Sequence, residues 1–301
     1  MQVAVDLGNT SLKLGWSNVQ PVAIGPADSL PRLAAPPLRL PWQIASRSSR
    51  EPESSIPPGD STRGIDPEDT HSLADWLCQH APSGEKGKGR RWIIASVQPT
   101  ALASLRQVLT DRFPGEPLVT VTKDDVPMST SVHYPEKLGI DRLIAAYACW
   151  VDRRHGPLIV VQSGTALTID YVDVDGVFQG GAILPGMPLM CQILADRTSA
   201  LPRIEPVEAM GDLAIPGKET TEAIRLGVYG SWIGGAQWVI AQYRQRLGDS
   251  QLPVVISGGD GPALAPWIPA PATQLKHAVL RGLLLLDRKE CHAAALEKPS
   301  A

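Results

Sequence analysis

Four cysteines in 301 residues leave little room for disulfide or zinc chemistry. Cys78, Cys149, Cys191 and Cys291 are scattered, with no Cys-x-x-Cys and no histidine at zinc-ligand spacing, so they read as reduced, incidental thiols. Long apolar runs are missing too. A run such as Leu283–Leu286 is far short of the ~20 residues a membrane helix needs, and Asp6 interrupts any apolar signal segment at the start. The expectation is a cytoplasmic protein with no membrane partner. Neither sign of charge is in excess: 28 basic and 31 acidic residues give a net charge of −3. With no long basic run, nothing marks a nucleic-acid partner. Two phosphate signatures are also absent. No Gly-x-x-x-x-Gly-Lys-Ser/Thr occurs, and Gly258-Gly259-Asp260-Gly261 lacks the spacing of Gly-x-Gly-x-x-Gly, which disfavours a P-loop or a Rossmann dinucleotide site. Small-molecule chemistry by another route is what remains. At this length, with 43% hydrophobic and 20% charged residues, the chain can build one large domain or two compact ones with real cores.

The opening stretch, Val3-Ala4-Val5-Asp6-Leu7-Gly8-Asn9-Thr10-Ser11-Leu12-Lys13-Leu14-Gly15-Trp16, reads as a buried strand, a tight turn and a second, alternating strand. Residues 26–91 form an insert rich in proline, serine and glycine, helical only at Thr70–His80. "SGEKGKGRR" within it reads as a solvated loop. A strand is expected at Trp92–Val97, and helices at Ala101–Phe113 and Ile140–Arg153. Half the chain further on, Ile159-Val160-Val161-Gln162-Ser163-Gly164-Thr165 repeats the opening when glycine is laid on glycine. Duplication and chance both account for such a match. A third strand-to-glycine turn is Val254-Val255-Ile256-Ser257-Gly258-Gly259-Asp260, with Pro262 suited to the first turn of a following helix.

Each glycine turn can aim backbone N–H groups at an anion. Beside such a turn Asp6 suits a Mg²⁺ ion held between it and phosphates, or it stabilises its own turn. Asp141, at the start of a helix and after Gly139, is placed to accept a hydroxyl proton in phosphoryl transfer. A helix cap explains it equally well.

Six motifs in order carry a resemblance: Asp6-x-Gly8-Asn9-Thr10-x-x-Lys13, Gly139-Ile140-Asp141-Arg142, Gly164-Thr165-Ala166-Leu167-Thr168-Ile169-Asp170, Gly180-Gly181-Ala182-Ile183-Leu184-Pro185-Gly186, Thr220-Thr221-Glu222-Ala223-Ile224-Arg225-Leu226-Gly227 and Ser257-Gly258-Gly259. Together they resemble type III pantothenate kinase. The resemblance implies an α/β fold of two ribonuclease-H-like domains, a duplicated actin-like ATPase architecture of the acetate and sugar kinase, heat-shock chaperone and actin superfamily, with the nucleotide cleft between them. The expected domains are 1–135, containing the insert at 26–91, and 136–290, with a tail at 291–301.

It also implies ATP-dependent phosphorylation of pantothenate, the first step toward coenzyme A, by a homodimer that needs Mg²⁺ and a monovalent cation, K⁺ or NH₄⁺. Carried over, the pattern makes Asp6, Gly8, Asn9, Thr10, Lys13 and Thr165 ATP contacts, with Asp6 toward Mg²⁺. Asp141 becomes the proton acceptor. Gly139, Ile140, Asp141, Arg142 and Thr220 contact pantothenate, whose carboxylate suits Arg142. Tyr134 is the candidate for a further substrate contact, about two residues closer to the motif than the pattern expects. Gln162 stands where the family normally has an aspartate for the monovalent cation. A different class of reading, a non-catalytic homologue acting as a nucleotide-binding accessory protein, is favoured by Gln162 and opposed by Asp6, Lys13, Asp141 and Arg142.

Overall fold

A computed structural model describes residues 1–17, 33, 37–41, 66, 68–82, 89–205 and 213–296. The chain divides into two units, the first made of the described residues up to Asp125 together with Leu280 onward, the second of Val126–Val279.

The first unit opens with β1 (Gln2–Leu7) and β2 (Ser11–Ser17), the expected hairpin, followed by β3 (Leu38–Pro41) and α1 (Thr70–His80). Then come β4 (Arg91–Ser96), α2 (Pro99–Arg112) and β5 (Leu118–Thr120). The sheet runs β3-β2-β1-β4-β5, antiparallel across the first three strands and parallel from β1 through β4 to β5. Alternation along β1 sends Val3, Val5 and Leu7 into a core with Leu73, Leu77, Leu105 and Leu109 of α1 and α2. Asp69 caps α1, accepting from the His71 and Ser72 backbone N–H groups at 3.0 Å each. Most of "SGEKGKGRR" and of the insert lies outside the described residues.

The second unit holds α3 (Ile140–Asp152), β6 (Leu158–Ser163), β7 (Ala166–Val172), β8 (Phe178–Pro185), α4 (Met187–Arg197) and α5 (Thr220–Leu247). After these come β9 (Val254–Ser257), the single turn α6 (Gly261–Leu264), β10 (Ala272–Gln274) and α7 (Ala278–Leu296), which belongs to the first unit from Leu280 onward. Its sheet runs β10-β9-β6-β7-β8. Again three strands are antiparallel, and two more are added in parallel to the first of them. Ile159, Val161, Leu167 and Ile169 face α4 and α5, packing on Met187, Val228 and Trp232. The other face of β6 and β7 receives α3.

Strand for strand the two sheets have one topology: β1 matches β6, β2 matches β7, and so on to β5 and β10. Asp6 pairs with Lys13 and Ala95, and Gln162 with Thr168 and Ser257, so the two residues hold equivalent positions on the central strand. Of the two explanations for the internal repeat, duplication accounts for this shared order and register. Among the described residues no helix is long and apolar enough to cross a membrane.

Candidate phosphoryl-transfer site

In the first unit, β1 carries a carboxylate near its end, and Asp6 has a partner across the hairpin. Lys13 Nζ lies 3.0 Å from Asp6 Oδ2, with Asp6 nearly fully buried and Lys13 half exposed. The turn between them is tied down: Gly8 N–H donates to the Ser11 carbonyl at 3.0 Å, and Gln98 Nε2 donates to the Asn9 carbonyl at 2.7 Å. Asn9 is exposed, and Gly8 and Thr10 are half-buried. The Gly8 N–H therefore closes its own hairpin rather than pointing at an anion. A Cβ there would make only ordinary contact, 3.5 Å from the Ser11 carbonyl oxygen.

The other two glycine turns meet each other within the second unit. Gly164 N–H is likewise committed to its hairpin, donating to the Ala166 carbonyl at 3.0 Å. Gly186, the residue before α4, donates to the Thr165 carbonyl at 2.9 Å and sits so close to Gly164 that a Cβ would overlap it. Gly258 has φ +93°, and a Cβ on it would run into the Ser163 backbone. Asp260 N–H then donates to the Ser163 carbonyl at 3.1 Å. Two segments thus converge on Ser163–Thr165, and Trp232 of α5 braces the turn by donating to Ser163 Oγ at 3.2 Å.

The start of α3 carries two charged residues side by side. Gly139 precedes the helix, and Asp141 Oδ1 accepts the Arg142 backbone N–H at 2.9 Å, satisfying one of the donors that a helix start leaves over. The cap position itself is taken by Gly139, so Asp141 acts from inside the first turn and is not the N-cap. A Cβ at Gly139 would stand 2.6 Å from Asp141 Oδ1, so glycine leaves room for that carboxylate. Arg142 reaches across to β7 and clasps Asp170 with two nitrogens: Nε donates to Oδ2 at 3.2 Å and Nη2 donates to Oδ1. The guanidinium also lies 5.7 Å from the centre of the Phe178 ring. Burial pushes the Asp170 carboxyl above the usual carboxylate range, and the Arg142 hydrogen bonds and charge act against that.

The remaining candidates lie around this unit. Thr220 is the exposed first residue of α5. Tyr134 is 63% exposed just before a single helical turn at Pro135–Lys137, with Lys137 Nζ 4.7 Å above its ring. Gln162 is half-buried, and its register partners Thr168 and Ser257 are both neutral. Ile140 is buried, and Thr165 is half-buried. Asp170 had no role assigned from sequence. Its signal was there: a carboxylate inside the apolar run Leu167–Val172, the same anomaly that singles out Asp6.

Residues 50–242 match the model of the family described as type III pantothenate kinase. The chain belongs to this family. Among curated relatives, the type III pantothenate kinase of Rhodopirellula baltica is 39% identical over 172 residues, covering 56% of this chain and 60% of that protein. The type III pantothenate kinase of Rhodospirillum rubrum is 34% identical over 199 residues, covering 65% of this chain and 75% of that protein. Two solved structures share the fold at low identity. A Campylobacter jejuni protein described as a Baf family transcriptional activator gives a TM-score of 0.54 at 16% identity, over 96% of this chain and 99% of that one. A Sinorhizobium meliloti protein described as a 2-dehydro-3-deoxygalactonokinase gives 0.52 at 15%, over 96% and 99%. The α/β architecture of two like sheet-containing lobes is thus the fold these structures share. The family match covers the α3 motif, the second hairpin and the start of α5, and leaves the first hairpin outside it.

Proposed function

We propose that the protein transfers the γ-phosphoryl group of ATP to the primary hydroxyl of pantothenate, giving 4'-phosphopantothenate, the first step of coenzyme A biosynthesis. The observation that carries this reading is the pairing of Asp141 and Arg142 on the first turn of α3, in a chain that belongs to the pantothenate kinase family.

The hydroxyl oxygen attacks the γ-phosphorus, the bond to the β-phosphate oxygen breaks, and ADP leaves. The hydroxyl proton passes to the Asp141 carboxylate, whose other task is to accept the Arg142 N–H. Arg142 holds the substrate carboxylate, which lies at the far end of pantothenate from the reacting hydroxyl. Gly139, Ile140, Thr220 and Tyr134 complete the substrate contacts.

Asp6, Gly8, Asn9, Thr10 and Lys13 from the first hairpin, with Thr165 from the second, hold ATP. Gly8 serves by close approach, since its N–H is already used. Mg²⁺, when bound, neutralises charge on the transferring phosphates. Among the described residues no cluster of three or more acidic, histidine or cysteine side chains could cage a metal. The single carboxylate that Asp6 brings to the first hairpin instead fits an ion carried mainly by the nucleotide. A monovalent cation fits less well, because Gln162 and its partners Thr168 and Ser257 bring no charge. A homodimer is the assembly the family leads us to expect. The accessory, non-catalytic reading stands second, favoured by Gln162.

Asp141→Asn tests the assignment. It keeps size and one oxygen acceptor, so turnover should fall by roughly 10²–10⁴-fold with little change in melting temperature. An Asn caps a helix about as well as an Asp. Wild-type turnover in this variant would reduce Asp141 to a cap.

A further inference from the structure

We propose that Asp170 is the positioning residue for Arg142, holding the guanidinium so that its remaining edge is presented to the carboxylate of pantothenate. The inference deepens the reading above and rests on it.

A guanidinium has five N–H groups in a fixed plane. Asp170 takes one from Nε and one from Nη2, which is the side edge of the fork. Of the three that remain, one on Nη1 and one on Nη2 form the end edge, which matches a second planar carboxylate in two parallel hydrogen bonds. One guanidinium can thus serve a fixed carboxylate and an arriving one.

Asp170 itself has no freedom to move. Its side chain is fully buried, on the central part of β7, directly opposite Gly181 of β8. Gly181 is as close as a residue can come, because a Cβ there would run into Asp170 Oδ1. The Phe178 ring supports the guanidinium from β8. Arg142 retains 15% side-chain exposure, enough for one edge to meet a ligand. A long arginine side chain left alone would have to lose its rotamer freedom on binding; Asp170 removes that cost beforehand. Asp141 and Arg142 are neighbours on α3, so fixing Arg142 also fixes the distance between the group that binds the substrate's tail and the group that takes its proton.

The plain alternative is an ion pair that only pins α3 to the sheet. Steady-state kinetics of Asp170→Asn separates the two, with pantothenate compared against a derivative whose carboxylate is a neutral amide. The losing interaction is charge-assisted, so KM for pantothenate should rise by roughly 10–100-fold. KM for ATP should hold within about twofold, and most of the loss should sit in KM rather than kcat. For the neutral derivative, kcat/KM should fall by less than about threefold, since it makes no carboxylate contact to lose.

Equal losses for both substrates, or a loss confined to kcat, would overturn the positioning role. If Asp170→Asn fails to fold, Arg142→Gln is compared with the double variant Arg142→Gln/Asp170→Asn, which leaves no buried charge unpaired. Equal KM values for pantothenate in these two support the inference, and a further rise in the double variant contradicts it. A wild-type protein that phosphorylates neither substrate would overturn the proposed function itself, and this inference with it.

Discussion

An amide and a carboxylate of the same shape differ by a full charge, and that difference decides what residue 162 can do. Gln162 and Asp6 occupy equivalent places on the two central strands, yet Asp6 pairs with the ammonium of Lys13 and Gln162 lies opposite the neutral Thr168. An amide oxygen offers a dipole to a cation and cannot compensate the ion's desolvation as a carboxylate can. Kinase rate should therefore respond to K⁺ or NH₄⁺ by no more than about twofold, and Gln162→Asp should create or sharpen the response. The check is rate against K⁺ concentration at constant ionic strength, held with a bulky organic cation so that screening stays fixed. A natural enzyme that is silent without K⁺ and strongly activated by it would mean that other ligands build the site. At this scale a charge interrupting an apolar strand was the legible signal, but it did not by itself disclose the partner of that charge. Asp6 stood out, whereas Asp170 passed unread because its partner Arg142 lies 28 residues away, on another element. The commitments of the Gly8 and Gly164 N–H groups to their own hairpins were equally invisible, since residue type does not say where a donor points.

Among the elements, the turn after β9 is the one whose geometry most needs its residue. Gly258 has a left-handed backbone and no room for a Cβ beside Ser163, whereas a Cβ at neighbouring Gly259 would meet nothing within 4 Å. Gly258→Ala should lose at least ~1–3 kcal/mol from the backbone alone, a fall in melting temperature of roughly 3–8 °C. Gly259→Ala should stay near the parent, since alanine at a compatible position costs little or stabilises. Thermal melts of the two compare them directly, and equal melting temperatures would contradict the packing described for this turn. Both hairpins, α1 and α3 were readable from apolar spacing and turn residues. Two long elements were not. In α5, Gly227, Gly230, Gly234 and Gly235 hide a helix of 28 residues whose buried side chains Ile224, Val228, Trp232 and Ala236 do keep a four-residue spacing. In β8, the Gly180-Gly181 pair weakens the strand signal, yet Gly181 is there because Asp170 lies opposite it.

For the molecule as a whole, one strand order occurs twice, and the second occurrence carries most of the family match while the first hairpin lies outside it. The duplicated architecture was legible because two strand-turn-strand segments resembled each other half a chain apart. The division into units was less so, because α7 leaves the second unit and joins the first only by tertiary contacts. There Asp287 accepts hydrogen bonds from Gln2 Nε2 and Arg91 Nε on adjacent parallel strands. Such long-range pairing leaves no periodic trace in the sequence. At this scale the proposal to test is that the protein phosphorylates pantothenate with ATP. The most direct test incubates purified protein with ATP, Mg²⁺ and pantothenate and follows 4'-phosphopantothenate itself by mass spectrometry rather than nucleotide loss. The account predicts product formed in step with ADP, and none when pantothenate is omitted. Nucleotide bound with no phosphopantothenate formed would contradict it and leave the accessory reading in its place.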